Sequence, residues 1–307
     1  MRIYLTGSSG FVGSNLHHVY TEHHGAEVIA PGHDHVDVTD ADLVRRSVLA
    51  TRPDAIVHAA IWNDLVGLRA DRRRAWAQYV GATRNLTDAA NLAGAQMVLV
   101  STDWVFDGTQ GPAAESEPPA PINTYGQLKA FSEMVVLHRA QRGLVARVSG
   151  VQGVHRARPR VPRGQDVGFG YLALSIVETL RRGERFELWD GPQCNRIATP
   201  TLATDAAEMI WLALEKKLTG VLHCCGGEHC SRVEFAQRTA RAFGLDEELI
   251  TVVAPPPSAI PTEGVPLDTS LSATETARRV GVDRVGLEVT LARLRTQSEL
   301  HDGSVVA

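Results

Sequence analysis

A parallel α/β sheet with helices on both faces is the fold this chain predicts, and three observations predict it. Short apolar runs at 2–6, 27–30, 55–60 and 96–101 alternate with helical stretches near 14–24, 40–51, 72–93 and 125–142. A glycine-rich turn stands at the first junction between them, at Gly7, Gly10 and Gly13. From about residue 154 the alternation gives way to an arginine- and proline-rich stretch and a less regular second half. Continuous apolar strands separated by helices are buried on both faces. The expected architecture is a doubly wound, Rossmann-type parallel sheet with a smaller, discontinuous substrate lobe.

The first strand runs straight into Thr6-Gly7-Ser8-Ser9-Gly10-Phe11-Val12-Gly13 and a helical pattern. Glycines let a backbone approach a pyrophosphate closely, and the free N–H groups and dipole of the helix receive its charge. The spacing is Gly-x-x-Gly-x-x-Gly, not the commoner Gly-x-Gly-x-x-Gly. At this junction it predicts a dinucleotide held by Gly7, Ser9, Gly10, Phe11, Val12 and Gly13. The second strand ends in Pro31-Gly32-His33-Asp34. A carboxylate for the ribose 2′-hydroxyl of NADH is expected near residue 32, where a glycine stands, while His33 can face a 2′-phosphate. NADPH is therefore the expected cofactor, and the nearby Asp34 leaves NADH possible. Asp37 and Val38 farther along this loop, Ala59 and Ala60 after the third strand, and Ser101 in the fourth complete the expected cofactor contacts.

The stretch Asn123-Thr124-Tyr125-Gly126-Gln127-Leu128-Lys129 contains Tyr-x-x-x-Lys. Four residues are one helical turn, so phenol and ammonium share a face. A phenol with a pKa of about 10 is a poor proton shuttle at neutral pH. A lysine cation one turn away is expected to lower that pKa toward the working range. A fifth strand follows at 144–148. Ligands of such sheets collect at the carboxyl ends of the strands, where Gly7, Ala59, Thr102 and the residues after Val148 fall.

Beyond it, His155-Arg156-Ala157-Arg158-Pro159-Arg160-Val161-Pro162-Arg163 has no periodicity. It reads as a solvated loop, or as a flap whose Arg156 and Arg160 recognise an anionic substrate such as a sugar diphosphate. A helix at 169–182, a strand at 185–189 and a helix at 203–217 come next. Ser231-Arg232-Val233-Glu234 has the capping-box form and opens a helix through Ala242. A proline-rich connection begins at Ala254, and a last helix at about 287–297 precedes a polar tail. Residues 1–150 with about 196–222 form the expected NAD(P)-binding domain; about 151–195 with 223–285 form the expected substrate lobe.

With 307 residues and 33.2 kDa the chain can bury a large core. Its net charge of −4 and pI near 6.3 offer no field for nucleic acid. Apolar runs are far short of a membrane span, and a strand begins at once without a signal peptide, so a soluble cytoplasmic protein is expected. The four cysteines, at 194, 224, 225 and 230, match no standard zinc spacing even with His223 and His229 beside them. Gly220–Gly227 reads instead as a buried strand ending in a turn, and no metal is expected.

Thr6-Gly7-Ser8-Ser9-Gly10-Phe11-Val12-Gly13, Val57-His58-Ala59-Ala60, Ser101-Thr102-Asp103-Trp104-Val105-Phe106-Asp107-Gly108 and Tyr125-x-x-x-Lys129 resemble the extended short-chain dehydrogenase/reductases. The third of these runs is similar to the dTDP-4-dehydrorhamnose reductase branch. Thr199-Pro200-Thr201 with Asp205, and Pro266-Leu267-Asp268-Thr269-Ser270-Leu271, extend the likeness over nearly the whole chain. The resemblance implies an NAD(P)H-dependent reductase of a keto-sugar, foremost a nucleotide-linked 4-keto-6-deoxyhexose. It implies that Tyr125 is the general acid and that Lys129 lowers its pKa and holds the nicotinamide ribose. Thr102, with Ser101 behind it, would hydrogen-bond the developing alkoxide. Asp103, Trp104, Val148 and Gly150 would line the sugar pocket.

Two departures stand out. The branch usually shows Arg-x-Ser-Trp-Val-Tyr where this chain has Arg147-Val148-Ser149-Gly150-Val151-Gln152, so an aromatic wall is missing. Tyr79 also replaces an asparagine before Val80. The sibling dehydratases carry Thr-Asp-Glu; here Trp104 holds the glutamate position, and an indole cannot transfer that proton. Epimerisation with the same Tyr/Lys pair remains an alternative. So does a non-catalytic NADP-binding subunit resembling the methionine adenosyltransferase beta subunit. A homodimer is possible.

Overall fold

The computed structural model describes residues 1–158 and 164–305. The chain opens with β1 (Arg2–Thr6), α1 (Phe11–His18), β2 (Glu27–Ile29), α2 (Ala41–Thr51) and β3 (Ala55–His58). Helices α3 (Leu65–Ala70), α4 (Arg72–Trp76) and α5 (Ala82–Ala93) lead to β4 (Gln96–Thr102), α6 (Thr124–Arg139) and β5 (Gly143–Val148). Next come β6 (Val151–Gln152), α7 (Leu172–Arg181), β7 (Phe186–Trp189), β8 (Ile197–Ala198), β9 (Thr201–Leu202) and α8 (Ala203–Glu215). The last elements are β10 (Gly220–His223), β11 (Cys230–Ser231), α9 (Arg232–Ala242), β12 (Ile250–Val253), α10 (Thr274–Val280) and α11 (Leu287–Val305).

Six strands form one parallel sheet in the order β10-β5-β4-β3-β1-β2, which is the doubly wound α/β fold the sequence predicts. Alternate residues of a strand point to opposite faces. Ile3 and Leu5 pack with Leu16 of α1 and Ile210 of α8 on one side. Tyr4 packs with Val44 and Val48 of α2 and Leu86 of α5 on the other. A separate apolar cluster joins α7, α9 and α11 through Ile176, Phe235 and Leu291.

Several boundaries differ from expectation; the helix expected at 14–24 is α1 followed by a π-helical turn over Val19–His23, and the one expected at 125–142 ends at Arg139. The single helix expected at 72–93 is α4, a wider π-helical turn over Ala77–Gly81, and α5. The turn carries Tyr79 and Val80 inward. Helix α7 starts at Leu172 instead of 169, because Tyr171 takes a left-handed conformation with φ 64°. Helix α11 continues to Val305 where a polar tail was expected; no proline interrupts it, and glutamate, glutamine and arginine are good helix formers. Ser231 caps α9 by accepting from Glu234 N at 3.2 Å, but the Glu234 carboxylate turns to Arg238, so half of the capping box forms.

Cys224, Cys225, Cys230 and Cys194 sit in four different apolar clusters, all as free thiols. Burial pushes the Cys224 and Cys230 thiols up to about 12, which leaves them unreactive. Among the described residues no three His, Cys, Asp or Glu side chains are grouped to hold a metal, and no helix is long and apolar enough to cross a membrane.

Candidate active site

The glycine turn is packed backbone to backbone. A Cβ on Gly7, whose φ is 79°, would stand 2.5 Å from Ala60 N, and one on Gly13 would stand 2.0 Å from Gly7 O. Gly10 N donates to Gly7 O at 2.9 Å and Gly10 caps α1 with no side chain and no acid in the first turn. The first N–H groups of α1 therefore face a bare glycine surface, bordered by Ala59, Ala60 and the exposed Ser9. This cradle fits a dinucleotide diphosphate. Gly13→Ala should destabilise the chain by about 1–3 kcal/mol through overpacking and weaken dinucleotide binding. Denaturation and fluorescence titration check it; unchanged melting and affinity would mean that the turn tolerates a side chain at residue 13.

Phe11 is buried and Val12 half-buried behind this surface. Thr6 Oγ1 meets His58 Nδ1 at 2.7 Å, and burial, helped by the charge of Lys129, pushes His58 down to about 3. His58 is therefore neutral. After β2, His33 and Asp34 are exposed, and a cavity of about 670 Å³ lined by Ala30, Gly32, His35, Arg46 and Ser47 opens nearby. The Asp37 carboxylate accepts from Thr39 N at 2.9 Å and Thr39 Oγ1 at 2.8 Å, which lowers its pKa and commits it to its own turn. Asn85 Nδ2 fixes the same turn by donating to Val38 O and Thr39 O, each at 3.1 Å.

Thr102 ends β4 in register with Val148 of β5. Helix α6 brings up Tyr125 and Lys129, capped by Asn123 Oδ1, which accepts from Gly126 N at 2.9 Å. Gly126 is required there: a Cβ would lie 2.2 Å from Trp104 O. The Tyr125 ring meets Tyr79 and Trp104 edge-on, with centroids 6.2 and 6.1 Å away. Lys129 is buried, its Nζ donating to Val100 O at 2.9 Å and lying 5.8 Å from the Tyr79 ring centre.

The electrostatics correct one expectation. Burial raises the Tyr125 pKa above its ordinary value, and its hydrogen bond with Thr102 only partly opposes this. Lys129 is itself pulled down to about 8 by burial, with Glu133 opposing. In the free chain desolvation thus dominates, and the phenol is held protonated.

Ser101 and Asp103 serve the chain itself. Ser101 Oγ donates to the buried Glu133 Oε1 at 2.5 Å, and Arg147 binds the same carboxylate through Nη2 at 2.7 Å and Nε at 3.0 Å. Asp103 Oδ2 accepts from Thr269 Oγ1 at 2.6 Å and Ser149 Oγ at 2.8 Å, and its Oδ1 accepts from Thr102 Oγ1 at 3.0 Å. These bonds only partly oppose the burial that pushes the Asp103 carboxyl up. Arg156 is half-buried against α1, its Nε donating to Asn15 Oδ1 at 3.3 Å. Arg160 lies outside the described residues. Gly150 has φ 49° and its Cβ position is 3.4 Å from Phe169 Cδ1. The structure thus gathers Thr102, Trp104, Tyr125 and Lys129 at one point, while His33, Asp37 and Val38 sit along the β2 edge. Sequence reasoning gave no site role to Tyr79, His58 or Glu133. Tyr79 had a signal, since it replaces an expected asparagine.

The sequence pattern of the RmlD substrate binding domain family matches residues 1–294. The dTDP-4-keto-6-deoxy-D-glucose reductase of Streptomyces niveus is 29% identical over 245 residues, 79% of this chain and 78% of that protein. The methionine adenosyltransferase 2 subunit beta of Rattus norvegicus is 26% identical over 257 residues, 80% of this chain and 72% of that protein. A dTDP-4-dehydrorhamnose reductase of Bacillus anthracis, solved with NADP, superposes with TM-score 0.80 over 95% of this chain and 98% of that one, at 23% identity.

Proposed function

The chain belongs to the RmlD substrate binding domain family, and from that premise we propose that it is an NADPH-dependent reductase of a nucleotide-linked 4-keto-6-deoxyhexose. The observation that carries this reading is Tyr125 packed against Trp104 beside the end of β4, one turn before a buried Lys129 and downstream of a bare glycine cradle. The likeness to a keto-deoxysugar reductase supports the substrate class.

The cofactor, when bound, supplies hydride to the keto carbon. Gly7, Gly10, Gly13 and the first N–H groups of α1 would receive its diphosphate, and Lys129 would hold the nicotinamide ribose. Tyr125 gives its proton to the carbonyl oxygen, and Thr102 donates to the same oxygen as charge develops. Burial keeps the phenol in the acid form this direction requires. NADPH with this substrate class should yield oxidised cofactor in proportion to reduced sugar. Failure to bind either reduced dinucleotide would overturn the reading, and sugar conversion without cofactor release would make the protein an epimerase. A second reading, a non-catalytic NADP-binding subunit, draws on the likeness to the methionine adenosyltransferase subunit beta. It predicts binding of NADPH with no turnover.

The Lys129 ammonium is lost as pH rises through about 8, so kcat/KM should fall along a limb near that value. Its contribution to stability has the opposite sign. The folded-state pKa lies below the reference value of 10.5, so between about 8 and 10.5 the unfolded chain binds more protons and this contribution rises with pH. An activity limb without a matching loss of Tm is expected; a profile flat to pH 9.5 would remove the cationic role.

A further inference from the structure

Between β6 and α7 runs an irregular segment in which the carbonyls of Asp166, Val167, Gly168 and Phe169 accept from donors elsewhere in the chain. Arg232, a fully buried residue opening α9, donates Nη2 to Asp166 O at 2.6 Å and Nη1 to Gly168 O. Asn195 N donates to Val167 O at 2.8 Å, and Gln152 Nε2 donates to Phe169 O at 2.7 Å. Among the described residues no carboxylate is hydrogen-bonded to the guanidinium, though Asp166 and Asp190 stand near enough to act on its charge, and its Nε is buried without a partner. A buried cation given over to backbone carbonyls is costly, so the segment it fixes has a use.

What the clamp delivers is Tyr171. Its N donates to Val151 O at 3.0 Å, which docks residue 171 beside the bare Gly150. Its ring meets Phe11 of the glycine turn edge-on at 4.4 Å, and its hydroxyl is close enough to Tyr125 to raise the Tyr125 pKa. Its backbone stands at φ 64°, where a side chain other than that of glycine is strained. Strain of this kind persists where the surroundings over-determine it, and it concentrates at ligand sites. Position 150 is closed to a ring by its own φ of 49° and by Phe169 and Pro200, each 3.4 Å from its Cβ position. Trp104, whose ring lies 3.5 Å from the Cβ position of Gly168, rests on the same segment.

We propose that Tyr171, presented by the Arg232 clamp between Phe11 and Tyr125, is a substrate-contacting residue whose ring is the wall that orients the keto-sugar toward Tyr125. This rests on the reductase reading and deepens it: specificity comes from 171, not from 150. Arg232 is then a positioning residue that acts through Tyr171.

The test compares Tyr171→Gly, Tyr171→Ala and Tyr171→Phe in the full chain, with NADPH affinity and steady-state KM for a nucleotide-linked 4-keto-6-deoxyhexose as readouts. Glycine relieves the left-handed strain, so Tyr171→Gly should melt no lower than Tyr171→Ala. Both should raise the sugar KM by about tenfold or more, the scale of one lost aromatic contact. NADPH affinity should stay within about threefold of the parent, because its diphosphate is held by the glycine turn. Tyr171→Phe keeps the ring and should keep KM within about threefold. An unchanged sugar KM in both Tyr171→Gly and Tyr171→Ala, or an equal loss of NADPH and sugar affinity, would overturn the assignment. If the parent itself reduces no keto-sugar, the functional reading falls, and this inference with it.

Discussion

Tyr125→Phe should lose turnover by about 10²–10⁴-fold, the usual contribution of a positioned acid. The substitution removes one hydroxyl and leaves the ring between Tyr79 and Trp104, so packing survives. Affinity for NADPH should change little, because the glycine turn and Lys129 are untouched. Thr102 has one hydroxyl proton, which it gives to Asp103 in the free chain; turned to the carbonyl oxygen it can hydrogen-bond there but cannot replace the acid. Stopped-flow or steady-state rates beside a dinucleotide titration separate the two effects. A variant keeping most of its rate would show that another group protonates the substrate.

The parts of this design that are local in sequence were legible there. The glycine turn follows from three glycines within seven residues at a strand end, and the shared face of Tyr125 and Lys129 follows from one helical turn. Long-range partnerships were not legible. Asp103 has the look of a pocket carboxylate, yet its Oδ2 is taken by Ser149 and Thr269, 46 and 166 residues away. No period or spacing reports such a contact. The π-helical turn that carries Tyr79 inward breaks the helical register on which pattern reading depends.

The pKa of Tyr125 was misjudged for a related reason. The sequence shows a cation one turn away but not how much water the fold removes. Sequence also predicts a helix from 169, since nothing in Phe169-Gly170-Tyr171 announces a left-handed tyrosine. The irregular strands and clamps of the second half depend on residues such as Arg232, whose charge suggests a surface. These are the places where local preference yields to tertiary packing.

Glu133→Gln should destabilise the chain by roughly 3–5 kcal/mol, because it leaves a buried cation without its carboxylate. Glu133 and Arg147 are both essentially inaccessible, 1% and 2% exposed at the side chain, and are joined by charge-assisted bonds from Nη2 and from Nε, which is shared between the two carboxylate oxygens. His223 offers no compensation. Burial pushes it down to about 4, and its Nδ1 lies 3.0 Å from Ser272 O, so it carries a proton there and turns an acceptor nitrogen to Arg147. The same carboxylate stands one turn after Lys129 and is what opposes the fall of its pKa. Its neutralisation should therefore move the alkaline limb of kcat/KM below about 8. Replacing Arg147 by Met in the Glu133→Gln background removes the orphaned charge and should recover much of the stability without restoring the limb. Urea denaturation and pH profiles of the two variants read the effects separately. Full stability in Glu133→Gln, or an unmoved limb, would show that the ion pair beneath the site supports neither the fold nor the lysine.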